Sequence, residues 1–128
     1  MRFDADVTEL LALEQDLRHA PMRVQRRVPA VVDQAAANVE RGWRDNARRT
    51  AGRHGRHYPA SIDHDASWVA GGYEARVGPR NDRPQGSMGP GFEYGSVNQP
   101  PHLDGNQAAD VELPRFEKAL ADLAGEIL

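Results

Sequence analysis

Apolar residues recur along this chain at spacings that change from stretch to stretch, and each spacing predicts an element. Val7, Leu10, Leu11 and Leu17 follow helical periodicity. They lie behind Asp6 and Glu9, a pair with capping-box spacing. A first helix is therefore predicted over 7–19, stopping near Pro21. Val31, Val32, Ala35 and Val39 share one face of a helical wheel with Trp43 at its edge, while Arg41, Arg44 and Arg48 lie opposite. Pro29 biases Val28 away from the α region and suits a first helical position. This predicts a second helix over 29–50, ended by Gly52 and Gly55.

From Ser61 the period becomes two. Ile62, His64, Ala66 and Trp68 alternate with Ser61, Asp63, Asp65 and Ser67. Beyond Gly71-Gly72, Tyr73, Ala75 and Val77 alternate with Glu74 and Arg76. A β-hairpin over 60–78 follows, because paired glycines suit tight hairpin turns. Residues 79–101 are rich in Gly and Pro and read as one long loop, mobile over 79–89 in an isolated subunit. Phe116, Leu120, Leu123 and Ile127 then form an apolar stripe on a C-terminal helix over 105–127. The predicted fold is a single α+β domain, 1–128, with two N-terminal helices, a small antiparallel β-sheet carrying the long loop, and the C-terminal helix packed on the sheet.

Composition adds a constraint to this layout. Leu, Ile, Val and Phe make up only 24 of the 128 residues, against 18 alanines. The core is expected to be thin, with part of the stabilising surface lying against another subunit. The absence of cysteine excludes a disulfide framework, a thiolate metal site and a cysteine nucleophile. No apolar run reaches the roughly 18 residues needed to span a bilayer. The N-terminus lacks the basic-then-apolar form of a secretory signal. These features suit a protein made and assembled in a cytoplasm, without contact with a membrane.

Charge is segregated. Residues 18–56 hold ten arginines against Asp33, Glu40 and Asp45, whereas the flanking segments are acidic. Arg41, Arg44, Arg48, Arg49, Arg53 and Arg56 could follow a phosphate backbone. However, Glu40 lies four residues before Arg44 and Asp45 four before Arg49, the favourable spacing for intrahelical pairs. A charged surface meeting an acidic neighbour fits the segregation better than nucleic-acid recognition does. His54, His57 and His64 show no metal-ligand spacing and no carboxylate paired by sequence, and no Gly-x-Ser-x-Gly elbow or phosphate loop is present. No catalytic residue, metal ligand or cofactor is expected.

A resemblance enters through the C-terminal half. Tyr73-Glu74-Ala75-Arg76-Val77-Gly78, Gly91-Phe92-Glu93-Tyr94-Gly95-Ser96, Pro101-His102, Asn106-Gln107-Ala108-Ala109-Asp110 and Pro114-Arg115-Phe116-Glu117 resemble segments of the neck or tail-completion (head–tail joining) proteins of long-tailed bacteriophages. The resemblance implies a structural virion protein at the head–tail junction, not an enzyme, assembled in the host cytoplasm. It implies a homo-oligomeric ring of six subunits, with twelve as the alternative, between the head connector and the tail-terminator or tail-tube proteins. Viral DNA would pass through the lumen without sequence recognition. The Glu93-Tyr94-Gly95 segment would be a packing corner or a subunit contact, and the arginine face would meet a neighbour or the lumen. The expected contact residues are Arg41, Arg44, Arg48, Arg53, Met88, Phe92, Glu93, Tyr94, Pro101 and His102. The runner-up function is a small nucleic-acid-binding module using the Arg-rich second helix, and a small hydrolase with a His/Asp site stands third.

Overall fold

A computed structural model describes residues 2–3, 9–12, 22–70, 72–97 and 99–125. Its elements, in chain order, are β1 (Arg2–Phe3), β2 (Glu9–Ala12), α1 (Met22–Thr50), β3 (Ile62–Val69), β4 (Gly72–Pro79), α2 (Gly89–Tyr94) and α3 (Asp104–Gly125). The four strands form one antiparallel sheet in the order β1-β2-β4-β3. The chain is thus α+β, with helix packed on antiparallel sheet, as its periodicities predict.

The long helix α1 organises the core. Val24, Val28, Val32, Ala35, Ala36, Val39, Trp43 and Ala47 form one continuous buried stripe. Buried residues at i, i+4 and i+7 or i+8 keep one helical face inward over its whole length. The sheet contributes Tyr73, Ala75 and Val77 from β4 and Ile62 from β3 to the same core. Phe92, Ala108, Phe116 and Leu123 close it from the other side. The helix that covers the sheet is α1 and not, as the sequence reading expects, the C-terminal helix: the long buried stripe of α1 faces the strands, and α3 lies along α1.

Two boundaries differ from the sequence reading. Glu9–Ala12, predicted within a helix over 7–19, is a strand that pairs with β4, Glu9 opposite Val77 and Ala12 opposite Glu74. The rest of 7–19 lies outside the described residues. Helix α1 begins at Met22, so Pro29 is inside it and not at its first turn. An interior proline costs about 3 kcal/mol through a lost hydrogen bond and a clash with the preceding turn. Burial of Val24 and Val28 on the core stripe offsets this, each aliphatic side chain contributing roughly 1.5–3 kcal/mol.

The hairpin lies where alternation predicts it, with Val69 opposite Gly72 and Ile62 opposite Pro79. β4 alternates buried and less buried residues over most of its length, whereas β3 is largely exposed beyond Ala66 because it is the edge of the sheet. The segment predicted as an open loop over 79–101 instead folds back on the domain. It contains a single 3-10 turn, Gly86–Met88, and the short helix α2. Arg83 donates to the Ala60 carbonyl and to Asp63. The Gln85 side chain takes the N–H of His57 and gives its own N–H to the carbonyl of His54. Beyond α2 the chain makes a small exposed bight, bridged by Ser96 and Gln99, with Val97 fully in solvent.

Candidate functional site

Three of the five segments that carry the phage-protein resemblance, Gly91–Ser96, Pro101-His102 and Asn106–Asp110, gather at one corner, where α2 meets the start of α3 and the end of α1; Tyr73–Gly78 lies on β4 and Pro114–Glu117 in mid-α3. Gly95 ends α2 with φ +86, and a Cβ there would lie 2.9 Å from the nitrogen of Pro101. Only glycine accepts both conditions easily. The chain then returns, so that the N–H of His102 donates to Phe92 and that of Leu103 to Glu93. Leu103 has φ 55, a left-handed conformation that turns the chain into α3. Gly105 lies flat on the Trp43 indole.

The corner is polar inside. Glu93 is completely buried and accepts the backbone N–H groups of Gly105 and Asn106. Asp104, also buried, accepts the Thr50 hydroxyl at 2.6 Å, while its carbonyl accepts the Asn46 amide. Tyr58 stacks obliquely on Phe92 at 4.6 Å, and Phe92 lies 5.8 Å from the His102 ring. Burial holds the Tyr58 phenol well above its ordinary pKa; Trp43 opposes this and the charges of Glu93 and Asp104 add to it. Its two carboxylates are engaged, Glu93 with the first amides of α3 and Asp104 with the Thr50 hydroxyl.

The expected contact residues therefore divide. Phe92 and Glu93 are interior, so they cannot form the outward contacts assigned to them; burying an aromatic ring and capping a helix hold them inside. His102 is mostly covered against Phe92. Met88, Tyr94 and Pro101 are exposed. Arg41, Arg48 and Arg53 are exposed on the outer side of α1 and the turn after it. Arg44 is not on that surface, because its guanidinium doubly donates to the Ile62 carbonyl at 3.0 and 2.7 Å and ties α1 to β3. Arg41 bonds Asn38, Arg48 bonds Asp45 and Arg49 bonds Asn46. Of the two pairs expected from the spacing, Glu40–Arg44 is present at 3.7 Å, whereas Asp45 pairs with Arg48 and Arg49 turns to Asn46.

A second polar cluster was not expected. Glu40 on α1 and Asp63 and His64 on β3 bring one ligand-type atom each to within 4.8 Å of one another. His64 Nδ1 is 3.1 Å from Glu40 Oε1. Burial raises the Asp63 pKa, but the His64 backbone N–H, the Glu40 and Arg80 side chains and the Arg83 charge outweigh it and hold the carboxyl below its ordinary 3.8. A cleft lined by Asp63, His64, Asp65, Arg76 and Arg80 opens beside the cluster. No sequence spacing joins Glu40 to His64; only the packing of β3 across α1 does.

Among the described residues, no helix is long and apolar enough to cross a membrane. Comparison of the chain with protein-family models, with curated proteins and with solved structures finds no match.

Proposed function

We propose that this chain is a structural subunit of the head–tail junction of a long-tailed bacteriophage, forming a homo-oligomeric ring that joins the tail to the head connector and lets DNA pass. The observation that carries the reading is the corner. Gly91–Ser96, Pro101-His102 and Asn106–Asp110, scattered over the sequence motif, meet as one latch around Glu93, Gly95 and Gly105. It supports the resemblance because Phe92, Glu93, Gly95 and His102, on separate segments, depend on one another there. Exposed Trp68, Val69, Met88, Tyr94 and Val111 supply apolar surface for neighbours, and the exposed arginines of α1 supply charge. The role is non-catalytic, with neighbouring connector and tail proteins as partners and the virion as its location. Native mass spectrometry of the purified chain, and cryo-EM of particles from the phage that encodes it, test the reading. Expected is a closed ring at the neck; a single copy per particle, or none, overturns it.

The alternative, a nucleic-acid-binding module, draws on exposed Arg41, Arg48, Arg49, Arg53 and Arg56. It predicts DNA affinity that falls steeply between low and moderate salt, read by fluorescence anisotropy. The inward turn of Arg44 and the local bonds of Arg41, Arg48 and Arg49 favour the structural reading.

A further inference from the structure

Glu40, Asp63 and His64 serve neither the corner nor the exposed arginine surface. We propose that these three side chains form a binding site for a divalent first-row transition-metal ion, best matched by Zn2+.

Four features carry this. The donors are a mixed set, one imidazole nitrogen and two carboxylates, which suits zinc and its neighbours better than the all-oxygen ions calcium and magnesium. They stand on two firmly joined elements, α1 and β3, with Arg44 bonded from the helix to the Ile62 carbonyl beside them. Ligand bonds of about 2.0–2.2 Å put neighbouring donors roughly 3–4 Å apart, and His64 Nδ1 already lies 3.1 Å from Glu40 Oε1. The outer oxygens are held from behind. Arg80 and Arg83 both bond Asp63 Oδ2, and Arg44 approaches Glu40 Oε2 at 3.7 Å. Outer partners of this kind orient ligating carboxylates.

The adjoining cleft leaves a fourth position for water. Bound there, the ion clamps the edge strand β3 to α1. The donors converge only in the folded chain, so binding stabilises it by mass action.

The test is isothermal titration and thermal melting of the untagged, metal-stripped protein with zinc chloride, with magnesium and calcium chloride as controls. Expected is one zinc per chain with a rise in melting temperature, and no response to magnesium or calcium. Glu40→Gln and His64→Gln should each weaken zinc binding at least tenfold, while His54→Ala/His57→Ala keeps it. Circular dichroism checks each variant's folding, and the partly exposed His64→Gln carries the test if Glu40→Gln does not fold. Absence of zinc binding to the wild type, wild-type affinity in His64→Gln, or loss of binding in His54→Ala/His57→Ala overturns the proposal.

Discussion

The carboxylate of Glu93 caps a helix that begins eleven positions later: its Oε1 accepts the N–H of Gly105 at 2.9 Å and its Oε2 that of Asn106 at 3.4 Å. The first amides of a helix have no partner within the helix, and their aligned dipoles favour negative charge. A capping side chain usually comes from the residue just before the helix. Here it comes from α2, so the cap also fixes the angle between α2 and α3. Burial pushes the Glu93 pKa above its ordinary 4.5; the amides of Gly105 and Asn106 pull it back, and the charge of Asp104 pushes it up again.

That balance sets a pH dependence. A folded pKa above the unfolded one means stability that is fully present below the unfolded value of about 4.5 and lost as pH rises through the folded value. Glu93→Gln keeps an oxygen for Gly105 but removes the titration. Urea unfolding of both proteins between about pH 4 and pH 8 should show the difference moving in favour of the variant as pH rises. A constant difference would mean that Glu93 keeps its unfolded pKa. Asp63 acts in the opposite sense. Its folded pKa lies below 3.8, so its contribution is present above that value and lost as pH falls through the folded one.

Gly105→Ala tests the contact with Trp43. A Cβ there would meet three indole carbons at 2.8 Å, and the ring, fully buried, has nowhere to go. Overpacking of this kind costs about 1–3 kcal/mol. A melting temperature lowered by several degrees is expected, with quenching or shift of Trp fluorescence; an unchanged melting curve would show that the corner relaxes freely.

Phe116→Ala should cost roughly 3–5 kcal/mol, as for other core phenylalanines. The ring is 4% exposed and lines the groove between α1 and α3 beside Ala30, Val31 and Ala35. In a chain with so few large apolar groups this approaches the whole folding stability. A loss under 1 kcal/mol by chemical denaturation would mean that α3 is not anchored there.

Gln85→Ala removes both bonds to the turn after α1, the 2.6 Å bond to His54 and the 2.8 Å bond from His57. The expected loss is about 0.5–1.5 kcal/mol per bond. The sharper readout is hydrogen exchange, in which the His57 amide should exchange faster while amides in mid-α1 do not change.

What the sequence made legible was local. Alternation from Ile62 to Val77 located the hairpin because each residue's neighbours along the strand encode its face. The stripe from Phe116 to Leu123 located α3 in the same way. Leu10 and Leu11 fit helical spacing, yet Glu9–Ala12 is a strand, because the partner that pairs with it, β4, lies far along the chain. The start of α1 was misread because Pro29 was given its usual weight, and Val24 and Val28 reverse that only through the core they enter. The role of Glu93 could be guessed only as a corner, since its partners at 105 and 106 follow no fixed spacing. The Glu40–Asp63–His64 cluster left no sequence signal at all, because it arises where a helix crosses a strand.

The exposed bight between Ser96 and Gln99 bears on how the two parts of the chain are joined. The corner is closed by hydrogen bonds from His102 and Leu103 back to Phe92 and Glu93, all on the inner side of this crossing, so the covalent link through Val97 carries little of the load. A latch of this form tolerates a longer tether. Each doubling of an inserted flexible segment adds only about 0.6 kcal/mol of closure entropy. The bight is therefore a natural port for peptide insertion or circular permutation, at which the last helix is retained by its lock and not by its leash.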